Sequence, residues 1–375
     1  MAGKVAVVFG TRPEAIKVAP VIQRLKDRNK AHKSQVESLV ISTGQHRDLL
    51  DQALSAFDIT PDIDLDVTPS EHSPSQVTRL ILEKLEPVLK SFGPGVVLVQ
   101  GDTFSTLGGA LTAFFNGFKV GHIESGLRSF NKYRPYPEEI NRKLVSLLTD
   151  YHFAPTESAR DNLLEEGVPA SNIYVTGNPV VDAFYQIVKG TDGLQLRSLQ
   201  KVDFSRRVLV VTLHRRENWG QPLESACDAL LQIVSARPDV EIVFPVHPNP
   251  LVQDVVHRRL DGKERIHVIE PLNYPAFITL MSRSYLILTD SGGIQEEAPY
   301  LGKPVLILRE ETERSESCCA GAARLVGTDS ETIVQEVLCL LDDEQVYSEM
   351  SQVRRLYGRG DAADKIVDII FQDLT

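Results

Sequence analysis

The sequence predicts an α/β protein of two doubly wound domains, on three observations. Apolar runs of strand length alternate with helical patterns along the chain, the signature of parallel sheets covered by helices on both faces. A polar, glycine-containing stretch from Gly190 to Arg206 interrupts that rhythm, as an interdomain linker does. Residues able to do chemistry fall directly after the apolar runs, where open α/β sheets bind their ligands. The expected division is a first domain over residues 1–189, a linker over 190–206, a second domain over 207–360, and a last helix over 361–375 free to return to the first domain.

The strand-like runs of the first half are Val5–Phe9, Ser38–Ser42, Gly95–Gln100, Lys119–Ile123, Tyr151–Ala154 and Ile173–Val175. Those of the second half are Arg207–Thr212, Glu241–Val246, Arg265–Ile269, Tyr285–Thr289 and Pro304–Leu308. The segments between them carry apolar residues at helical spacing. Leu223, Ala226, Cys227, Leu230, Leu231 and Val234, for instance, line one helix face. Three further helical patterns, Thr332–Leu341, Gln345–Leu356 and Ala362–Leu374, have no strand after them and are expected on the outside.

The chain has 375 residues, 42% hydrophobic and 24% charged, with a formal charge of −11. Two domains of that size each bury a sizeable core. The negative balance argues against nucleic acid and against an anionic membrane as bulk partners. Cys227, Cys318, Cys319 and Cys339 form no CxxC pair and no HExxH is present, so neither a zinc site nor a disulfide framework is expected, and cysteine usage of this kind suits a reducing cytosol. No segment approaches the ~20 apolar residues of a membrane span.

The segment LILTDSGGIQEEAPYLGKPVLILR, Leu286 to Arg309, is the most informative. A strand ends in Asp290, Ser291, Gly292 and Gly293, and a helical stretch with Glu296 and Glu297 follows. Glycines at such a turn let backbone N–H groups approach an anion, and Glu297 is placed to accept hydrogen bonds from sugar hydroxyls. Together they suggest a nucleotide-sugar site. TDSGG also matches the nucleophile segment of trypsin-like proteases, but those need an all-β frame with partner His and Asp residues, which the β–α alternation excludes. GTRPEAIKVAP, Gly10 to Pro20, opens a helix after the first strand and offers Arg12 and Lys17 to a diphosphate. It is neither GxGxxG nor a P-loop. Three carboxylates follow: Asp102 in QGDTFST, Glu124 in GHIESGLRS, and Glu138 in YRPYPEEINRKL with Arg142 at i+4. Carboxylates grouped in a cleft can divide acid and base roles. TLHRREN brings His214, Arg215 and Arg216 to the first strand end of the second domain, and Arg314 lies in ETERSES.

Taken in order, GTRPEAIK, GDTFST, VGHIESGLRS, PEEINR, TLHRREN, LTDSGGIQEEAPYLGKPVL and ETERSE resemble the non-hydrolysing UDP-N-acetylglucosamine 2-epimerase family from about Lys4 to about Gly327. The resemblance implies a GT-B-type fold, two Rossmann-like domains with a cleft between them, in a cytoplasmic homodimer that interconverts UDP-GlcNAc and UDP-ManNAc without metal or nicotinamide. By motif it assigns Asp102, Glu124 and Glu138 as acid/base carboxylates, Arg142 as their support, and His214 to the departing phosphate. It assigns Arg12, Lys17, Ser291, Gly292, Gly293, Glu297 and Arg314 to UDP, with Phe277 near the uracil. Bacterial members also bind a second UDP-GlcNAc as activator. Gln45, His46, Arg215 and His247 match that site, but the basic residue expected near Glu71 and His72 is missing from PSEHSPSQ, which weakens the expectation of activation. Competing readings are a GT-B glycosyltransferase, the hydrolysing branch that releases ManNAc and UDP, an epimerase of a related UDP-N-acetyl-hexosamine, and a non-catalytic nucleotide-sugar sensor.

Overall fold

The computed structural model describes residues 3–31, 36–44, 47–68, 73–189 and 197–374. The chain forms two compact units, Met1–Tyr185 with Tyr357–Thr375, and Gln186–Leu356. Each is built on a parallel sheet wrapped by helices, the Rossmann-like arrangement that the alternation of patterns predicts.

In the first unit the order is β1 (Lys4–Phe9), α1 (Arg12–Ala31), β2 (Glu37–Ser42), α2 (Arg47–Ser55), β3 (Ile63–Asp64), α3 (Pro74–Phe92), β4 (Val96–Gln100), α4 (Phe104–Phe115), β5 (Lys119–Ile123), α5 (Glu138–Leu148), β6 (Tyr151–Ala154), α6 (Glu157–Glu165), β7 (Ile173–Val175) and α7 (Pro179–Val188). The strands align as β3-β2-β1-β4-β5-β6-β7. Val5 to Val8, Val96 to Val99 and Val120 are fully buried. Helices cover both faces, so these strands read as continuous apolar runs rather than as alternation.

The second unit runs β8 (Arg207–Thr212), α8 (Gln221–Ala236), β9 (Val240–Pro245), α9 (Pro250–Leu260), β10 (Ile266–Ile269), α10 (Tyr274–Arg283), β11 (Leu286–Thr289), α11 (Gly292–Glu297), β12 (Val305–Ile307), α12 (Ser315–Cys319), β13 (Ala323–Leu325), α13 (Ser330–Asp342) and α14 (Glu344–Met350). Its sheet order is β10-β9-β8-β11-β12-β13. The face of α8 expected from spacing is the buried one, with Leu223, Ala226, Cys227, Leu230 and Val234 in the core; Leu231 packs against that core from its margin.

Two expectations are corrected. The helical pattern over Gln345–Leu356 stops at Met350. Beyond it the Arg354 N–H donates to the Pro299 carbonyl at 2.9 Å, so the backbone there bonds away from any helix. The strands β3 and β13 were missed because two and three residues carry no readable pattern.

The chain then returns to the first unit. The last helix, α15 (Ala362–Leu374), packs on α1 and buries Ile366, Val367, Ile370 and Phe371. Arg24–Asp364 and Arg28–Asp368 ion pairs flank that contact.

Candidate active site

In each sheet the chain leaves in opposite directions from two neighbouring strands, the point beyond whose carboxyl ends open α/β sheets bind ligands. In the first unit these strands are β1 and β4. A side chain at Gly10 would collide with the hydroxyls of Thr43 and Ser105, so only glycine lets the turn after β1 sit this close. Glu14, in the first turn of α1, accepts the N–H groups of Gly10 (3.1 Å) and Thr11 (2.7 Å) and the hydroxyls of Thr103 (2.6 Å) and Thr106 (3.1 Å). Burial pushes its carboxyl above the ordinary range, against the pull of those donors. The chain's own carboxylate thus occupies the start of α1. Arg12 is half-buried in that first turn, while Lys17, one turn on and 5% exposed, is turned to Glu124.

Glu124 directly follows β5. It is a non-glycine residue in left-handed backbone, φ 68°, a conformation that persists only where the surroundings hold it. Its Oε2 accepts from Lys17 Nζ, from Gln100 Nε2 (3.1 Å) and from Asn178 Nδ2 (2.9 Å). The strand carrying Gln100 pairs with β5 opposite Ile123, so Asp102 and Glu124 leave adjacent strand ends.

Asp102 accepts Arg142 Nη2 at 2.6 Å and keeps its side chain 22% exposed. Its carbonyl accepts Asn141 Nδ2 at 2.8 Å. The preceding carbonyl, of Gly101, lies 2.8 Å from His122 Nε2. A carbonyl can only accept, so Nε2 carries the proton. Burial drops this imidazole to about 4, which keeps it neutral at physiological pH. Glu138 opens α5, half-buried, in the turn that supplies Asn141 and Arg142. Asp102 and Arg142 are therefore joined at one strand end, with Glu138 on the helix that carries Arg142 and Glu124 on Lys17 at the next strand end.

In the second unit the neighbouring strands are β8 and β11. His214 and Arg215 follow β8; Asp290 and Ser291 follow β11. Asp290, fully buried, accepts the His214 N–H (2.9 Å), the Arg215 N–H (2.8 Å), Asn218 Nδ2 (3.0 Å) and His214 Nδ1 (2.9 Å). Burial works to raise its carboxyl, but the His214 pair and these donors outweigh it and hold it down to about 2. A carboxylate ionised at all ordinary pH demands the proton on Nδ1 and leaves His214 Nε2 outward. The ring of His247, after β9, stacks on that of His214 with centroids 5.7 Å apart.

On the other side of β11, Arg314 donates to Glu296 (2.7 Å) and to Glu313. Glu313 also takes Arg309 at 2.9 Å, and Arg215 lies 3.9 Å from it. A side chain at Gly292 would strike the Arg314 guanidinium, whereas Gly293 faces open space. Glu297 accepts the Tyr274 hydroxyl at 2.6 Å from the start of α10, on which Phe277 is half-buried. His214, Arg215, Ser291, Gly292, Gly293 and Arg314 thus cluster at the ends of β8, β11 and β12. Gln45 and His46 lie outside the described residues.

Sequence reasoning missed the partners: Gln100, Asn178, Glu139, Asn141, Asp290, Glu296 and Glu313 in their holding roles. The one available signal was Asp290 itself, an acid directly after a strand. Among the described residues no group of His, Cys, Asp and Glu could hold a metal ion, and no helix is long and apolar enough to cross a membrane.

A family model described as UDP-N-acetylglucosamine 2-epimerase matches residues 28–371. A UDP-N-acetylglucosamine 2-epimerase of Salmonella typhimurium is 48% identical over 374 residues, covering 98% of this chain and 98% of the relative. Among solved structures, the UDP-GlcNAc 2-epimerase of Neisseria meningitidis bound to UDP-GlcNAc superposes with a TM-score of 0.94 at 42% identity, over 98% of this chain and 100% of that one. The Methanocaldococcus jannaschii enzyme in complex with UDP-GlcNAc and UDP gives 0.86 at 33% identity, over 98% and 99%. With the two strand-end clusters described above, these matches establish that the chain belongs to the UDP-N-acetylglucosamine 2-epimerase family.

Proposed function

We propose that this chain epimerises UDP-GlcNAc at C2, reversibly and without hydrolysis, the second unit taking the nucleotide and the first supplying the acid/base carboxylates. The observation that carries this reading is the pair Asp102 and Glu124. They stand at adjacent strand ends, each held by its own cation, Arg142 and Lys17. Two carboxylates in different environments can act as acid and base to opposite faces of one carbon.

The C2 proton is not adjacent to a carbonyl and is not acidic, so the route runs through the leaving group. The C1–O bond breaks, and its electrons depart on the UDP phosphate as one carboxylate takes the C2 proton. The products are 2-acetamidoglucal and UDP. A proton then returns to the opposite face of C2 as the phosphate oxygen re-adds to C1. Arg314 stabilises the charge on departing UDP, and so does His214 when its ring carries both protons and the outward Nε2 donates. Glu138, in the turn that holds Asp102, completes the acid/base set. Arg12, Ser291, Gly293, Glu297 and Phe277 bind the rest of the nucleotide. The same reading includes a homodimer, supported by exposed apolar side chains on α4 and α5, Phe115, Leu144 and Leu147. It also includes a second UDP-GlcNAc near Arg215 and His247.

Incubation with UDP-GlcNAc in D2O, followed by NMR, is the test. UDP-ManNAc labelled with deuterium at C2 is expected. Epimerisation without label at C2 rules out the elimination. Free ManNAc and UDP as the main products assign the chain to the hydrolysing branch.

A further inference from the structure

Near its start α5 sends two side chains to Asp102, and a third, Glu139, holds one of them. Arg142 Nη2 donates to the Asp102 carboxylate (2.6 Å), Asn141 Nδ2 to the Asp102 carbonyl (2.8 Å), and Arg142 Nη1 to Glu139 Oε2 (2.9 Å). Positions 139 and 142 share a helix face by their i, i+3 spacing, so Glu139 grips the guanidinium from behind while Asp102 meets its other nitrogen. The guanidinium is a planar fork, and two carboxylates on different nitrogens fix its rotation. Glu139 is fully buried. A carboxylate there is tolerated only with its oxygens satisfied, and it accepts in addition the N–H groups of Ser129 (3.0 Å) and Phe130 (3.2 Å). Phe130 stands in left-handed backbone, φ 61°. One buried carboxylate therefore fixes both the arginine that holds Asp102 and the turn that leads from Glu124 towards Glu138. With His122 on the Gly101 carbonyl, the Asp102 segment is tethered at three points, and only its carboxylate is left partly open.

We propose that Glu139 and Asn141 are positioning residues for the C2 proton transfer. They act through Asp102 and touch no substrate: Asn141 sets its backbone and Glu139 sets the arginine that aims its carboxylate. This rests on Asp102 being an acid/base group of the proposed reaction. Misplacement of a reacting group by an ångström costs up to about 100-fold in rate.

The test is a set of variants assayed with UDP-GlcNAc. Glu139→Gln and Asn141→Ala are expected to lower kcat about 10- to 100-fold, with deuterium entry at C2 falling by the same factor. KM, and the Kd for UDP, should stay within about twofold, because the nucleotide is held elsewhere. Glu139→Asp, which keeps the charge, should recover part of the loss. In an Asp102→Asn background neither change should cost further rate, since a residue that works through Asp102 has nothing left to aim. Should Glu139→Gln not fold, Asn141→Ala carries the same comparison. Folded variants with kcat within about twofold of the parent, or losses fully additive with Asp102→Asn, overturn the proposal. A parent protein that leaves UDP-GlcNAc unchanged refutes the proposed function instead, and the inference falls with it.

Discussion

Asp290 decides which nitrogen of His214 faces outward. Asparagine there would keep the volume but remove the negative charge, and so would support less well the doubly protonated ring of His214, the form whose Nε2 donates to a phosphate. For Asp290→Asn we expect kcat to fall by about 100-fold, the scale of losing one donor to developing charge, together with weaker UDP binding; a titration calorimeter and a coupled assay read both. Gly292 makes a different point. Its turn needs no unusual backbone; what it needs is room for Arg314. Gly292→Ala should push the guanidinium off Glu296 and Glu313 and weaken UDP binding by about tenfold, or about 1.4 kcal/mol. UDP affinity equal to that of the parent would show that Arg314 can relocate without cost. Asp102, Glu124 and His214 were legible because a polar residue directly after an apolar run stands out. Glu139 and Glu313 were not. Each sits beside another acid or arginine and reads as a solvated charge; burial, which turns such a residue into a holding group, arises only from tertiary packing.

At the scale of elements, legibility followed length and apolar continuity. The runs at β1, β4 and β8 announced themselves because both faces of a parallel strand are buried. The strands β3 and β13 fall below the length at which any period can be read. The pattern of α14 failed for another reason: Val346 and Met350 keep helical spacing, but the backbone after Met350 is claimed by Pro299. The start of α1 is a third case. GTRPEAIK offers Arg12 and Lys17 to a diphosphate, and the sequence does not show that Glu14 turns back to the Gly10 and Thr11 N–H groups or that Lys17 is turned to Glu124.

At the scale of the molecule, two doubly wound units could be read from alternation. The sequence left the final helix free to return to the first domain, but an amphipathic pattern does not say against which surface it packs. That path has a consequence in time. The first unit is sewn from both ends of the chain: Asn178 N–H donates to the Tyr357 carbonyl at 2.8 Å, Asp182 caps α15 through Ala363 N–H at 3.0 Å, and Lys119 and Tyr151 meet Asp373. Ile366, Val367, Ile370 and Phe371 contribute about 1.5–3 kcal/mol each when buried, together comparable with the ~5–15 kcal/mol of a whole domain. A chain ending at Leu356 should therefore lose the cooperative melting of its first unit while Gln186–Leu356 keeps its own transition, a result that calorimetry would resolve. During synthesis, at about 5–20 residues per second, the half-built first unit must wait roughly 10–30 s while the second unit emerges from the ribosome. Throughout that interval the apolar face of α1 stands open to chaperones and to neighbouring nascent chains.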